Sequence, residues 1–231
     1  MSREAFLARV REAARAGSAY RVHTAAVADT AGYCGAGNDP PSRFVAEVNA
    51  VGGHGRIVSD WSAAREALAE LLDRHKPTSA LCWRHPALEK LNLGELLALK
   101  GIQLLDYESL SHLTPAEQRE KMLAAGIGIS STTLAVAETG SLALASGPGS
   151  ERVASLLPPV HVAIVGAEQI VPDLFDLFAV MQKSAGAMPS NWTLVTGPSK
   201  TGDLELKLTT GVHGPGTWHV VVVGALAGVP G

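Results

Sequence analysis

The spacing of apolar residues along the chain changes repeatedly between a helical period and short unbroken runs. Spacing of three or four residues, typical of a helix, follows Ser2 and Thr114 and recurs near residues 42–51, 59–72, 88–99 and 173–182. Strand-like runs of β-branched and other apolar residues lie near residues 56–58, 79–83, 102–105, 126–129, 161–165, 192–195 and 218–223. Because helices and strands alternate, the pattern predicts an α/β protein with an open, mostly parallel sheet and helices on both faces.

One segment in the third quarter of the chain has a different pattern. Two short apolar runs, residues 134–137 and 141–145, are separated only by Glu138, Thr139 and Gly140, which predicts a hairpin with Glu138 near its tip. A carboxylate between apolar runs would be partly desolvated and its pKa raised, which suits a nucleophile or a general base. The alternative is an ordinary turn glutamate in water.

Two glycine–proline corners surround a polar segment between residues 191 and 216. The first corner, after the run 192–195, holds Ser199, Lys200 and Thr201, and the second holds His213. Glycine lets backbone amides approach a ligand, and successive amides form a cradle for anions. Lys200 would act there as a point cation. The alternative interpretation is two ordinary turns.

Together these segments predict one pocket for a small anionic ligand, in which Asp203 orients a hydroxyl or amine of that ligand. Glu138 is the candidate catalytic residue. The candidate ligand-binding residues are Thr139, Gly140, Gly197, Ser199, Lys200, Thr201, Asp203, His213 and Gly214.

Composition narrows the class of protein. The 231 residues are 46% hydrophobic and carry a net charge of −3 without a run of like charges, which argues against a nucleic-acid or anionic-membrane surface. Cys34 and Cys82 are the only cysteines, so a disulfide framework is not expected and a reducing cytoplasm fits better. No stretch reaches the roughly 18 apolar residues of a membrane span.

Metal ligands are also sparse. Two thiols are too few for a cubane iron–sulfur cluster, and Asp203, Glu205 and His213 match no metal motif, so no metal is predicted. We interpret His54 as an exposed turn residue and His161 and His219 as satisfied strand-end histidines.

Four ordered motifs carry a family resemblance: residues 137–141, 157–161, 196–205 and 211–215. They resemble the successive motifs of the LUD domain, and more particularly of the lactate-utilisation protein C family. The resemblance covers about residues 40–223, and Gly202 stands where the family pattern has alanine. Residues 1–40 are then an N-terminal helix and loop, and residues 41–231 a LUD-type α/β domain.

The resemblance implies a fold similar to the sugar-phosphate isomerase and coenzyme A transferase group. It also implies a cytoplasmic system that oxidises L-lactate to pyruvate, in which partner subunits carry iron–sulfur clusters and this chain has no redox cofactor of its own. Two alternatives remain: an acyl or coenzyme A transferase, or nucleotide-using ligase, with Glu138 as nucleophile, and a non-catalytic assembly subunit.

Overall fold

A computed structural model of the protein describes residues 2–17, 35–183, 188–201 and 209–224. The chain divides into two compact units, Met1–Cys34 and Gly35–Gly231. In the first unit, α1 (Arg3–Gly17) begins as predicted after Ser2, whose Oγ accepts a hydrogen bond from the Ala5 N–H at 3.2 Å. The part of the predicted N-terminal loop at residues 18–34 lies outside the described residues.

The described part of the second unit contains sheets of six, four and two strands with helices around them. Its helices are α2 (Pro40–Ala50), α3 (Trp61–His75), α4 (Pro86–Glu89), α5 (Leu93–Leu99), α6 (Tyr107–Ser111), α7 (Pro115–Ala124), α8 (Val153–Leu156) and α9 (Leu174–Lys183). Its strands are β1 (His54–Val58), β2 (Ser79–Cys82), β3 (Gln103–Leu105), β4 (Ile127–Ser130), β5 (Leu134–Val136), β6 (Ser141–Ser146), β7 (Val160–Gly166), β8 (Ile170–Val171), β9 (Asn191–Val195), β10 (Lys200–Thr201), β11 (Thr209–Thr210) and β12 (Thr217–Val223).

The main sheet has six strands in the order β1-β12-β7-β4-β2-β3, and every neighbouring pair is parallel. All seven residues of β7 are buried, as expected for a strand covered on both faces. On one face of the sheet, a Cβ built on Gly55 would contact α2. On the opposite face, His219 of β12 contacts His75 of α3. Helices therefore cover both faces of a parallel sheet, and the predicted fold class is confirmed.

A second, four-stranded sheet was not predicted. Its order is β8-β5-β6-β9, and the pairs β5–β6 and β6–β9 are antiparallel. The tight turn after β5 forces β6 to return beside it, because parallel strands need a long crossover connection. The predicted hairpin is thereby confirmed, but it belongs to this smaller sheet rather than to the main one.

Local sequence signals explain several element boundaries. Helix α2 begins before the predicted position, because Asp39 accepts a hydrogen bond from the Ser42 N–H at 3.1 Å and Pro40 occupies the first turn. The helix expected at residues 88–99 is two helices, since Asn92 adopts a left-handed conformation with φ +47°. No helix among the described residues is both long and apolar enough to cross a membrane.

Candidate functional site

The hairpin turn between β5 and β6 lies against α2. Val136 pairs with Ser141, so residues 137–140 form the turn, and the half-buried Glu138 donates its backbone N–H to the Pro172 carbonyl at 3.1 Å. Gly140 has φ +64°, and a Cβ there would lie 2.6 Å from the Val48 backbone nitrogen. Only glycine fits this close approach of the turn to the helix.

A row of three hydroxyls joins the hairpin to the first glycine–proline corner. Thr139 Oγ1 lies 2.7 Å from Ser141 Oγ, which lies 2.7 Å from Thr196 Oγ1. Thr196 directly precedes Gly197, so this row connects the Glu138 turn with the loop after β9. The hairpin turn and the first glycine–proline corner are therefore linked through side chains.

The two glycine–proline corners are linked to each other through the backbone. The Ser199 N–H donates to the Pro215 carbonyl at 2.8 Å, and the Gly211 N–H donates to the Ser199 carbonyl at 2.9 Å. A Cβ on Gly214 would lie 3.3 Å from the Ser199 Cβ, which shows how closely the two loops approach. The structure thus brings residues 197–201 and 211–215 together.

Lys200 does not face the space between these loops. Its Nζ donates to the Val51 carbonyl at 2.6 Å, at the C-terminal end of α2, and its side chain is exposed. An ammonium at this position offsets the partial negative charge of the helix C-terminus. In this structure Lys200 stabilises the end of α2 rather than occupying an anion cradle.

The loops enclose one side of a cavity of about 240 Å³. Four predicted ligand-binding residues line it: Gly197, Ser199, His213 and Gly214. The other lining residues are Ser155, Leu156, His161, Thr193, Leu194, Val195, Thr196, Pro215 and Trp218.

Five other predicted site residues are described but do not line this cavity: Glu138, Thr139, Gly140, Lys200 and Thr201. Asp203 lies outside the described residues. The candidate site is therefore narrower than the predicted one, and the predicted role of Asp203 stays a prediction.

Two buried rings at the floor of the cavity were missed by sequence reasoning. His161 on β7 and Trp218 on β12 are paired across the main sheet and are 0% and 1% exposed. The Nε2 of His161 lies 2.8 Å from Ser130 Oγ. Within the described part of the chain, however, neither His161 Nδ1 nor Trp218 Nε1 has a hydrogen-bond partner.

This finding corrects the interpretation of His161 as a satisfied strand-end histidine, since only one of its ring nitrogens is bonded. A buried polar atom without a partner costs about 1–3 kcal/mol, so two of them beside one cavity indicate a place for a ligand or water. Burial lowers the pKa of His161 to about 3, so its imidazole is neutral near pH 7. The sequence signal was present, because both rings interrupt otherwise apolar strands.

The chemistry that the cavity can perform follows from these groups. The Trp218 indole can only donate a hydrogen bond, Ser199 can donate or accept, and His161 Nδ1 does either according to its tautomer. Such a lining suits a small molecule that carries several oxygen acceptors.

A larger cavity, about 660 Å³, lies at the opposite, carboxyl-terminal edge of the main sheet. Trp83, Arg84 and His85, which directly follow β2, line it together with residues of α4 and α5. None of the predicted site residues belongs to it. The loops that line the 240 Å³ cavity and this 660 Å³ cavity therefore lie at opposite ends of the strands of the main sheet.

The fold places the chain in the class of α/β proteins with a parallel six-stranded sheet and an added, mixed four-stranded sheet. Residues 42–223 match the family model described as the LUD domain, and the chain belongs to this family. A crystal structure of a protein of the DUF162 family from Deinococcus radiodurans has the same fold. Its TM-score is 0.56 at 21% identity, over 80% of this chain and 96% of that chain.

Curated relatives share about a third of the aligned residues. Lactate utilization protein C of Halalkalibacterium halodurans is 29% identical, over 65% of this chain and 64% of that protein. Lactate utilization protein C of Bacillus licheniformis is 34% identical, over 72% of this chain and 71% of that protein. The match to lactate utilization protein B of Shouchella clausii is 34% identical and covers 66% of this chain but 32% of that longer protein.

Proposed function

We propose that this protein acts in lactate utilisation and binds a small anionic metabolite in the 240 Å³ cavity lined by Ser199, His213, His161 and Trp218. Membership of the LUD family and the names of the relatives support the first part. In this proposal the protein is a cytoplasmic subunit of a lactate-oxidising system. Partner subunits carry the iron–sulfur clusters, and this chain binds no redox cofactor.

The unpartnered nitrogens of His161 and Trp218 carry the proposal for the cavity. A 2-hydroxy or 2-oxo acid has a carbinol or carbonyl oxygen that accepts from the Trp218 indole, and a carboxylate that accepts from Ser199 and from backbone N–H groups of the loops. Because Lys200 is bonded to the end of α2, hydrogen-bond donors rather than that ammonium hold the charge. The ligand is accordingly small and bound weakly enough to be released.

Covalent catalysis by Glu138 is the alternative function, and the structure favours it less. Glu138 does not line the cavity, and its turn is fixed by the bond to Pro172 and by the contact of Gly140 with α2. Incubation with acyl-coenzyme A followed by hydroxylamine would trap a glutamyl thioester. We expect no trapped glutamate, and a modified Glu138 would establish the transferase instead.

The proposal is tested by thermal unfolding with L-lactate and with pyruvate. We expect either acid to raise the melting temperature of the wild type but not of Trp218→Phe, which keeps an aromatic side chain and removes the indole N–H donor. Trp192→Phe is a matched control, because Trp192 Nε1 is also buried without a partner but does not line the cavity. Equal stabilisation of all three proteins would remove the site assignment.

The physiological part needs a separate test. We expect deletion of the gene to abolish growth on L-lactate and Trp192→Phe, but not Trp218→Phe, to restore it. Iron analysis of proteins that co-purify from lactate-grown cells tests the proposed partners. Growth of the deletion strain at the wild-type rate would refute the role in lactate utilisation.

A further inference from the structure

A group of basic side chains lies on the face of the main sheet that α3 covers. His54 pairs with His219 across β1 and β12, and Arg56 follows two residues after His54 on the same side of β1. The last turn of α3 adds Arg74 and His75. A cavity of about 210 Å³ is lined by His54, Arg56, Arg74 and His219, together with Gly55, Glu70, Leu71 and Val221.

The three histidines of this group are in direct contact. His75 Nε2 and His219 Nε2 are 3.0 Å apart, so one of these nitrogens holds the proton that the other accepts. The His54 ring stacks on His219 with 5.0 Å between centroids. Burial is the main cause that lowers the pKa of His219 to about 4 and also lowers that of His75, and Arg74 and His54 lower both further.

The charges around this cavity are unbalanced. Among the described residues, Glu70 is the one acidic side chain that lines it, and Arg56 Nη1 donates to the Glu70 carboxylate at 2.9 Å. Arg56 Nη2 is buried and has no hydrogen-bond partner within the described ranges. Two guanidinium groups and two imidazoles therefore line the cavity with one carboxylate, and one guanidinium N–H donor remains for a further anion.

We propose that this cavity is a binding site for a doubly charged oxyanion, such as sulfate, phosphate or the phosphate group of a metabolite. A guanidinium donates two parallel hydrogen bonds to such a group. The volume equals about seven waters of the liquid, which accommodates a tetrahedral oxyanion with part of its hydration. Binding is coupled to proton uptake by the histidines, because the anion favours their charged form.

A transition-metal ion is the rival occupant, since two imidazole nitrogens lie close together. The structure favours the anion for two reasons. No group of three His, Cys, Asp or Glu among the described residues has the geometry to hold a metal. Arg56 and Arg74 would also repel a cation in the same cavity.

The test is calorimetric titration of the full chain with sodium sulfate at about pH 6 and about pH 8, at constant ionic strength in chloride. Sulfate keeps its charge over this range, so a change in affinity reports on the protein. With uptake of one proton over both pH units, we expect about a hundredfold tighter binding at the lower pH. Sodium phosphate in a parallel titration tests whether a second tetrahedral oxyanion shares the site.

Surface variants provide the controls. Arg74→Gln and His54→Asn are expected to weaken sulfate binding at least about fivefold. Arg119, on α7, and His112, directly after α6, are exposed, so Arg119→Gln and His112→Asn are expected to leave sulfate binding unchanged. Affinity that is independent of pH, or equal in Arg74→Gln and the wild type, would overturn the proposal. Zn²⁺ binding that tightens as pH rises, without sulfate binding, would assign the cluster to a metal.

Discussion

His161 is buried in the neutral form, and this makes the stability of the fold depend on pH. Its pKa is lowered from 6.5 to about 3 because the ring is removed from water. The unfolded chain therefore binds a proton below about pH 6.5, whereas the native protein does not bind it until about pH 3. The contribution of this residue to stability is complete above pH 6.5 and is lost as the pH falls below it.

The magnitude follows from the number of pH units crossed. Between the pKa of a histidine in the unfolded chain and its lower pKa in the native protein, the free energy of unfolding falls by about 1.4 kcal/mol for each pH unit of acidification. On acidification from about pH 7.5 to about pH 5, about 1.5 pH units lie below the unfolded pKa of 6.5, so His161 alone lowers the free energy of unfolding by about 2 kcal/mol. This is a large part of the total of about 5–15 kcal/mol that is typical of a domain.

The assay is urea unfolding at a series of pH values for the wild type, His161→Gln and His112→Gln. The His161→Gln variant is expected to be less stable near neutral pH, because it changes a packed ring, and to lose about 2 kcal/mol less than the wild type on acidification. His112 is exposed, so its variant is expected to follow the wild-type curve. If His161→Gln and the wild type lose the same free energy between these pH values, the reasoning is wrong.

Three further predictions concern stability, reactivity and the helix end. Gly140→Ala is expected to lower the free energy of unfolding by at least about 2 kcal/mol more than Gly37→Ala. Both glycines have positive φ, but a Cβ clashes with α2 at Gly140 and meets nothing within 4 Å at Gly37. Equal losses in urea unfolding would contradict this. Cys82 is fully buried and burial raises the pKa of its thiol, so in a Cys34→Ser background iodoacetamide should modify it only after unfolding. Lys200→Met should reduce stability by less than about 1 kcal/mol, and a larger loss in the same assay would show that the bond to Val51 is not its main contact.

Much of the fold was predictable because the parallel strands are buried on both faces. Strands β7 and β12 consist mostly of buried apolar residues, with a histidine near the start of each, and the Thr114–Glu117 capping box marks the start of its helix. Short elements such as α8 and β8 were missed, because four or two residues do not establish a period. The division of the strands into separate sheets depends on which strands pair, and apolar runs alone do not specify the pairing.

The site was predicted less completely than the fold, for a physical reason. Sequence reasoning assigned charge to the ligand and therefore gave Lys200 the leading role, but a lysine beside a helix C-terminus is also stabilised by the backbone carbonyls there. His161 and Trp218 seemed ordinary because strand position does not reveal whether a buried nitrogen finds a partner. That property depends on the neighbouring strands and on Ser130, which lies 31 residues away along the chain.

The C-terminal half of α2 and the following Val51 explain why two separate motifs, residues 137–141 and 196–205, meet. Gly140 packs against Val48. A Cβ built on Gly197 would lie 3.0 Å from the Val51 carbonyl oxygen, and Lys200 Nζ donates to that same oxygen. These motif residues build the site by packing on α2. Gly140 and Lys200 do not line its cavity, whereas Gly197 does.

Ser199, His213 and Gly214 differ from Gly140 and Lys200, because they line the cavity and make none of the contacts with α2 described above. Substitution of Gly140 or Lys200 should therefore lower stability. Substitution of Ser199, His213 or Gly214 should weaken ligand binding at nearly unchanged stability. Ser199→Ala and Lys200→Met, adjacent in the chain, separate the two roles most directly. If Lys200→Met removes stabilisation by L-lactate or pyruvate and Ser199→Ala does not, the lysine acts on the ligand and this division of the motif is incorrect.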